Sequence, residues 1–149
     1  MGRIDLTDAV VTADALHAQR AHAKYLVRER GAHYVLTVKG NQPTLHAQLG
    51  ALPWRAVPVG DDTRDRGHGR VEWRTLKVTA VATGLGFGHA AQAVQIVRRR
   101  RPLNAKKKRW SKETVYAVTS LDATEASPAE LADILRGHWA IEVRHEVAL

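Results

Sequence analysis

The sequence predicts an α/β fold with an antiparallel β excursion before its last helix, and three observations carry that expectation. A short apolar run, Val10 to Ala13, is closed by Asp14 and turns at once into helical spacing, after which His33 to Val38 forms a second β-rich run. Further on, Val71, Trp73 and Thr75 alternate with Glu72, Arg74 and Leu76, as in half-buried strands. Finally, Ser127, Pro128 and Glu130 have the spacing of a capping box that opens a helix.

Each element follows from its own pattern. A strand buried on both faces reads as a short apolar run, which suits Val10 to Ala13. From Ala15, Ala18, Ala21, Tyr25 and Leu26 share one side of a helix, Gln19, Lys24, Arg28 and Glu29 the other, and Gly31 supplies the stop. Strand, helix, strand in this order implies a parallel pair with a right-handed crossover. After His33 to Val38, the loop Lys39 to Pro43 feeds a short helix from Thr44 to Leu52. Gly60 to Arg70 reads as a charged, glycine-bearing loop. Strands are expected from Val71 to Val81, over Ala93 to Val97 after a Gly84 to Gly88 turn, and over Thr114 to Leu121. In the last helix Leu131, Ile134, Leu135 and His138 form the apolar face, and at ~100° per residue Glu142 falls on that same face.

Composition bounds the function. At 149 residues the chain has the size of one domain, with 23 Lys and Arg against 15 Asp and Glu and a formal net charge of +8. Such an excess points to a polyanionic partner, because neutralising phosphates supplies most non-specific nucleic-acid affinity. There is no cysteine, so disulfides and thiolate metal sites are excluded, and any metal would take carboxylate, His or water ligands, as Mg2+ or Mn2+ do. No stretch approaches the ~20 apolar residues of a membrane span, and the first residues lack an apolar signal core. No membrane partner and a cytoplasmic location are therefore expected, and richness in Ala, Val, Arg and Gly fits translation from a GC-rich bacterial genome.

Three groups could carry chemistry. Asp14 stands where α/β sheets hold ligands, just past a strand's C-terminal end; the same position also suits a helix N-cap. Glu142 on a buried helix face needs a cation, a metal or donors to offset its desolvation. An ion pair with Arg136, Arg144 or a strand arginine would serve, and so would a metal. Two such carboxylates can converge on Mg2+ and activate an attack on a phosphodiester. Arg98, Arg99, Arg100 and Arg101 with Lys106, Lys107, Lys108 and Arg109 put eight cations within twelve residues, at what reads as a β connection closed by Trp110. The cluster is either a solvated basic hairpin or a phosphate-contacting surface. Asp61, Asp62, Asp65 and His68 read as solvated loop residues, and neither a covalent nucleophile motif nor a GxxxxGKS loop occurs.

The blocks Val11 to His17, Tyr34 to Gln42, Gly67 to Arg74 and Arg136 to Glu142 occur in the order found in DDE-type insertion-sequence transposases. The chain resembles that family over nearly its whole length, specifically the H-repeat-associated group. The resemblance implies a ribonuclease-H-like mixed sheet flanked by helices, with three acids that bind two Mg2+ or Mn2+ ions. Asp14 would be the second acid and Glu142 the third, and the strands from about residue 71 to 121 an insertion before the last catalytic helix. Lys39, Asn41, Arg70 and His138 lie inside the matched blocks and would be site or DNA-facing residues. The implied partner is DNA, both transposon ends and target.

Two departures shape the expectation further. The family's leading Asp lies on an earlier strand, whereas only thirteen residues precede Asp14, and Asp5 and Asp8 would lie at the opposite end of its strand. After Glu142 the chain reads Val-Arg-His-Glu-Val-Ala-Leu in place of the family's usual continuation. Residues 1–149 are thus expected to be a partial catalytic domain lacking its first strands and inactive alone, with a non-enzymatic DNA-binding remnant as the alternative. An unpaired sheet edge would favour marginal stability or homo-oligomers.

Overall fold

The structure, a computed structural model, describes residues 10–14, 33–38, 42–81, 90–103 and 109–137, the first of these as backbone. In chain order they form β1 (Val10–Asp14), β2 (His33–Val38), α1 (Pro43–Gly50), a 3-10 turn (Trp54–Ala56), β3 (Asp61–Gly67), β4 (Arg70–Ala80), β5 (Gln92–Pro102), β6 (Ser111–Thr119) and α2 (128–137). The strands make one six-stranded sheet in the order β1-β2-β6-β5-β4-β3. β1 and β2 are parallel, as strand-helix-strand order implied, with Asp14 in register with Thr37. Every other pair is antiparallel. The antiparallel strands therefore continue the parallel pair, joined to it where β6 runs beside β2. The helix expected from Ala15 to Gly31 and the Gly84 to Gly88 turn lie outside the described residues.

Alternation along β2 separates two cores. Tyr34, Leu36 and Val38 pack with Ala93 and Val118 against Leu45 and Leu49 of α1 and against Trp54. On the other face Val35, Leu76, Val94, Ile96 and Ala117 pack against Leu131, Ala132 and Leu135 of α2. Helices on both faces of a mixed sheet are the α/β arrangement. The α2 start forms as its sequence required: the Glu130 N–H donates to Ser127 Oγ at 3.2 Å and the Ser127 N–H to Glu130 Oε1 at 3.1 Å. Pro128 then sits so close to Gly60 that a Cβ there would lie 2.7 Å from the proline Cβ. Only glycine allows that approach.

Where β2 begins and β6 ends, the chain is tied by polar side chains. Tyr34 N–H donates to Ser120 Oγ at 2.9 Å, Thr119 Oγ1 donates to the Tyr34 carbonyl at 2.7 Å, and His33 spans from Ser120 Oγ to Glu125 Oε2, at 3.0 Å to each. Burial pushes the Tyr34 phenol up from its ordinary pKa. The neutral phenol is thus favoured in the fold, so its contribution to stability is complete below the unfolded pKa of about 10 and lost at higher pH. Thermal melts are expected to fall more steeply between about pH 9.5 and 11 for the native chain than for Tyr34→Phe.

Two expectations are corrected. Asp61 to Gly67 is not a loop: it pairs with β4 over seven positions and is joined to it through His68 and Gly69, at φ 52° and 76°. Two consecutive positive φ values make the two-residue turn that matches strand twist. The segment DDTRDRG shows no apolar alternation because β3 is an edge strand, and charged edges resist pairing with other chains. Likewise Arg98 to Arg101 are not in a connection. They continue β5 to Pro102, in register with Glu72, Trp73 and Arg74 of β4 and with Ser111, Lys112 and Glu113 of β6.

Candidate nucleic-acid interface

Beyond the core, the sheet extends as a charged blade whose two faces differ in chemistry. On the face that continues the α2 side, Arg98 and Arg100 alternate into line with Arg74, Glu72 and Glu113. Their charges are matched. Arg98 Nη2 donates to Glu113 Oε2 at 2.8 Å, Arg74 to Glu72 and Asp65 at 3.0 and 3.2 Å, and Arg100 Nε to Glu72 Oε1 at 3.4 Å.

The opposite face carries Arg64 and Arg66 from β3, Trp73 from β4, Arg99 and Arg101 from β5 and Lys112 from β6. The row Arg64-Trp73-Arg99-Lys112 crosses all four strands. The Arg64 guanidinium lies 4.3 Å and that of Arg99 4.9 Å from the Trp73 ring centre, and Arg101 lies 5.2 Å from that of Trp110. The two indoles meet edge to face at 6.1 Å. Trp73 Nε1 donates to Asp62 Oδ1 at 2.6 Å, and Asp62 is the acid this face contributes among the described residues. Five cations thus share a face with one carboxylate, which is itself occupied by an indole. A surface of that kind attracts polyanions.

The expected site residues divide accordingly. Arg99 and Arg101 lie on the cationic face, while Arg98 and Arg100 lie on the ion-paired one. Arg70 is exposed at the hairpin end of β4 and Arg109 is exposed just before β6. Arg64, Arg66, Lys112 and Trp73 were missed; the signal for them is the i, i+2 spacing of Arg64 with Arg66 beside an alternating strand that carries Trp73. Asp14 ends β1 in the row of Thr37, Ala117 and Val94. Glu142, Lys39, Asn41, His138, Lys106, Lys107 and Lys108 lie outside the described residues. Asp62 accepts from Trp73 and Asp65 pairs with Arg74, so these two acids are engaged by the neighbouring strand, and among the described residues no group of three His, Asp or Glu side chains could hold a metal ion. No described helix is long and apolar enough to cross a membrane.

The described residues form a mixed α/β sheet that carries a cation-rich blade. Residues 1–147 match the family model of the transposase DDE domain, and the chain belongs to that family. Membership implies a DNA substrate, and the sheet is consistent with the ribonuclease-H-like fold of such domains. No curated protein and no solved structure matches the chain.

Proposed function

We propose that this chain belongs to the machinery of DNA transposition by metal-dependent phosphodiester cleavage and strand transfer and is inactive alone, with Asp14 and Glu142 as metal-binding carboxylates and the basic blade as its DNA contact. The observation that carries the reading is the position of Asp14: the last residue of a parallel strand, at the sheet end where α/β folds hold ligands. Glu142 follows α2 in sequence, and α2 packs on the sheet through Leu131 and Leu135. Two carboxylates suit Mg2+ or Mn2+, which keep waters and take up substrate phosphates. When bound, such ions activate the attacking water or hydroxyl and stabilise the leaving oxygen. The protein's own part is to supply the two acids and to neutralise backbone phosphates, so that the scissile bond is held in place.

Titration with Mg2+ and Mn2+ by calorimetry tests the reading. Binding is expected in the native chain and is expected to weaken at least about tenfold in Asp14→Asn and in Glu142→Gln, since losing even a group that supports a metal ligand costs about 10–100-fold. Metal affinity that both variants leave unchanged refutes the assignment. A second reading, DNA binding without catalysis, is favoured by the cationic face itself, and salt-sensitive duplex binding with no metal binding would select it.

A further inference from the structure

We propose that the face bearing Arg64, Arg66, Arg99, Arg101 and Lys112 is a clamp for the phosphate backbone of duplex DNA, in which Trp73 is a positioning residue that holds two arginines rather than a platform for a base. The inference rests on the DNA reading above and assigns it to one face and one mode of contact.

Trp73 stands on the strand between those of Arg64 and Arg99, and both guanidiniums lie within stacking range of its ring, at 4.3 and 4.9 Å. The ring is itself fixed, half-buried and held by its Nε1 bond to Asp62. A guanidinium stacked on an indole uses its flat face for the contact and keeps its in-plane N–H donors free, so stacking orders the side chain without consuming the donors that phosphate needs. Trp110 is engaged in the same way, by Arg101 and by the edge contact with Trp73. Base stacking requires an open aromatic face: Trp73 has two guanidiniums within stacking range, while Trp110 keeps 40% of its surface exposed. What the surface offers is an array of cations, on strands about 4.8 Å apart and about 6.7 Å apart along each strand. Duplex DNA presents a phosphate about every 1.7 Å of its axis, so several of these cations can be engaged at once. Arg98 and Arg100, held by Glu113 and Glu72 on the other face, take no part.

Fluorescence anisotropy with a duplex of mixed sequence and with a single strand, across a salt series, tests the clamp on the full chain. Each phosphate contact contributes about −0.9 to the slope of log affinity against log salt. Trp73→Leu is expected to make the slope shallower by about two and to weaken binding about tenfold or more, equally for unrelated sequences. Arg64→Gln with Arg99→Gln should produce the same loss, and Trp73→Leu should add nothing to it. Trp73→Phe, which keeps an aromatic face, should restore the native slope, and Arg98→Gln with Arg100→Gln should leave it in place. A folded Trp73→Leu protein with the native slope, or a further loss when Trp73→Leu is added to the two arginine changes, overturns the positioning role while the DNA reading stands. Preference of the native chain for the single strand by about tenfold or more, the mark of base stacking, overturns the clamp without any variant. Native affinity and native slope in the Arg64 and Arg99 double variant overturn the clamp, since the two arginines that Trp73 holds then make no phosphate contact.

Discussion

Leu131→Ala is expected to destabilise the fold by about 2–5 kcal/mol, the range for deleting most of a fully buried leucine side chain. Leu131 is wholly buried, at the centre of the contact that docks α2 on Val35, Leu76, Val94, Ile96 and Ala117. Such a loss is a large share of the ~5–15 kcal/mol that holds an ordinary domain together. Urea unfolding reads it directly. Asp133→Ala on the same helix is the control: its ion pair with Arg136 is exposed, and exposed pairs contribute about 0–1 kcal/mol. Since the sequence of α2 runs on towards Glu142, the Leu131 variant should also weaken Mg2+ binding if Glu142 is a ligand, whereas Asp133→Ala should not. A Leu131→Ala protein with native stability would mean that α2 is not docked as described.

Glu72→Ala should be the most damaging change on the blade. Its side chain is only 13% exposed, and one oxygen, Oε1, accepts from both Arg74 and Arg100. The Arg74 Nε–H is buried and has no hydrogen-bond acceptor among the described residues, so losing Glu72 leaves that guanidinium with Asp65 alone. Breaking a buried pair costs about 3–5 kcal/mol, and partial exposure of the two arginines lowers the expectation to about 1–3 kcal/mol. Glu113→Ala, whose carboxylate is 56% exposed, should cost about 0–1 kcal/mol. Urea unfolding in low salt and in ~0.5 M salt separates the two, because screening removes the exposed contribution and leaves most of the sheltered one. Equal effects at Glu72 and Glu113 would argue against the ion-paired face.

The elements that bury apolar side chains were legible in the sequence. β1 and β2 appear as apolar runs, α2 as a capping box with a leucine stripe, and β4 as alternation. What escaped was the blade, where pattern is written in charge. In Arg98 to Arg101 four identical residues conceal a strict alternation, because partners on other strands decide which pair stacks on indoles and which meets glutamates. β3 escaped for the related reason that an edge strand in solvent needs no apolar residue. The position of Asp14 at the end of a parallel strand was readable from its own neighbourhood. The cationic face was not, since it needs the registers of β3, β4, β5 and β6 together.

The place of β6 sets an order of assembly. Among the described strands it comes last in sequence, yet it lies between β2 and β5 and makes the strand pairing that joins the parallel pair to the antiparallel blade. During synthesis β3, β4 and β5 can zip up as local hairpins as soon as they emerge. β2 must wait about eighty residues for the partner that pairs Val35 with Thr119. Contacts of that sequence separation slow folding, because a long loop closes before any pairing rewards it. Until β6 arrives, the nascent chain holds two half-sheets with open edges, and that interval is when this protein has most need of a chaperone.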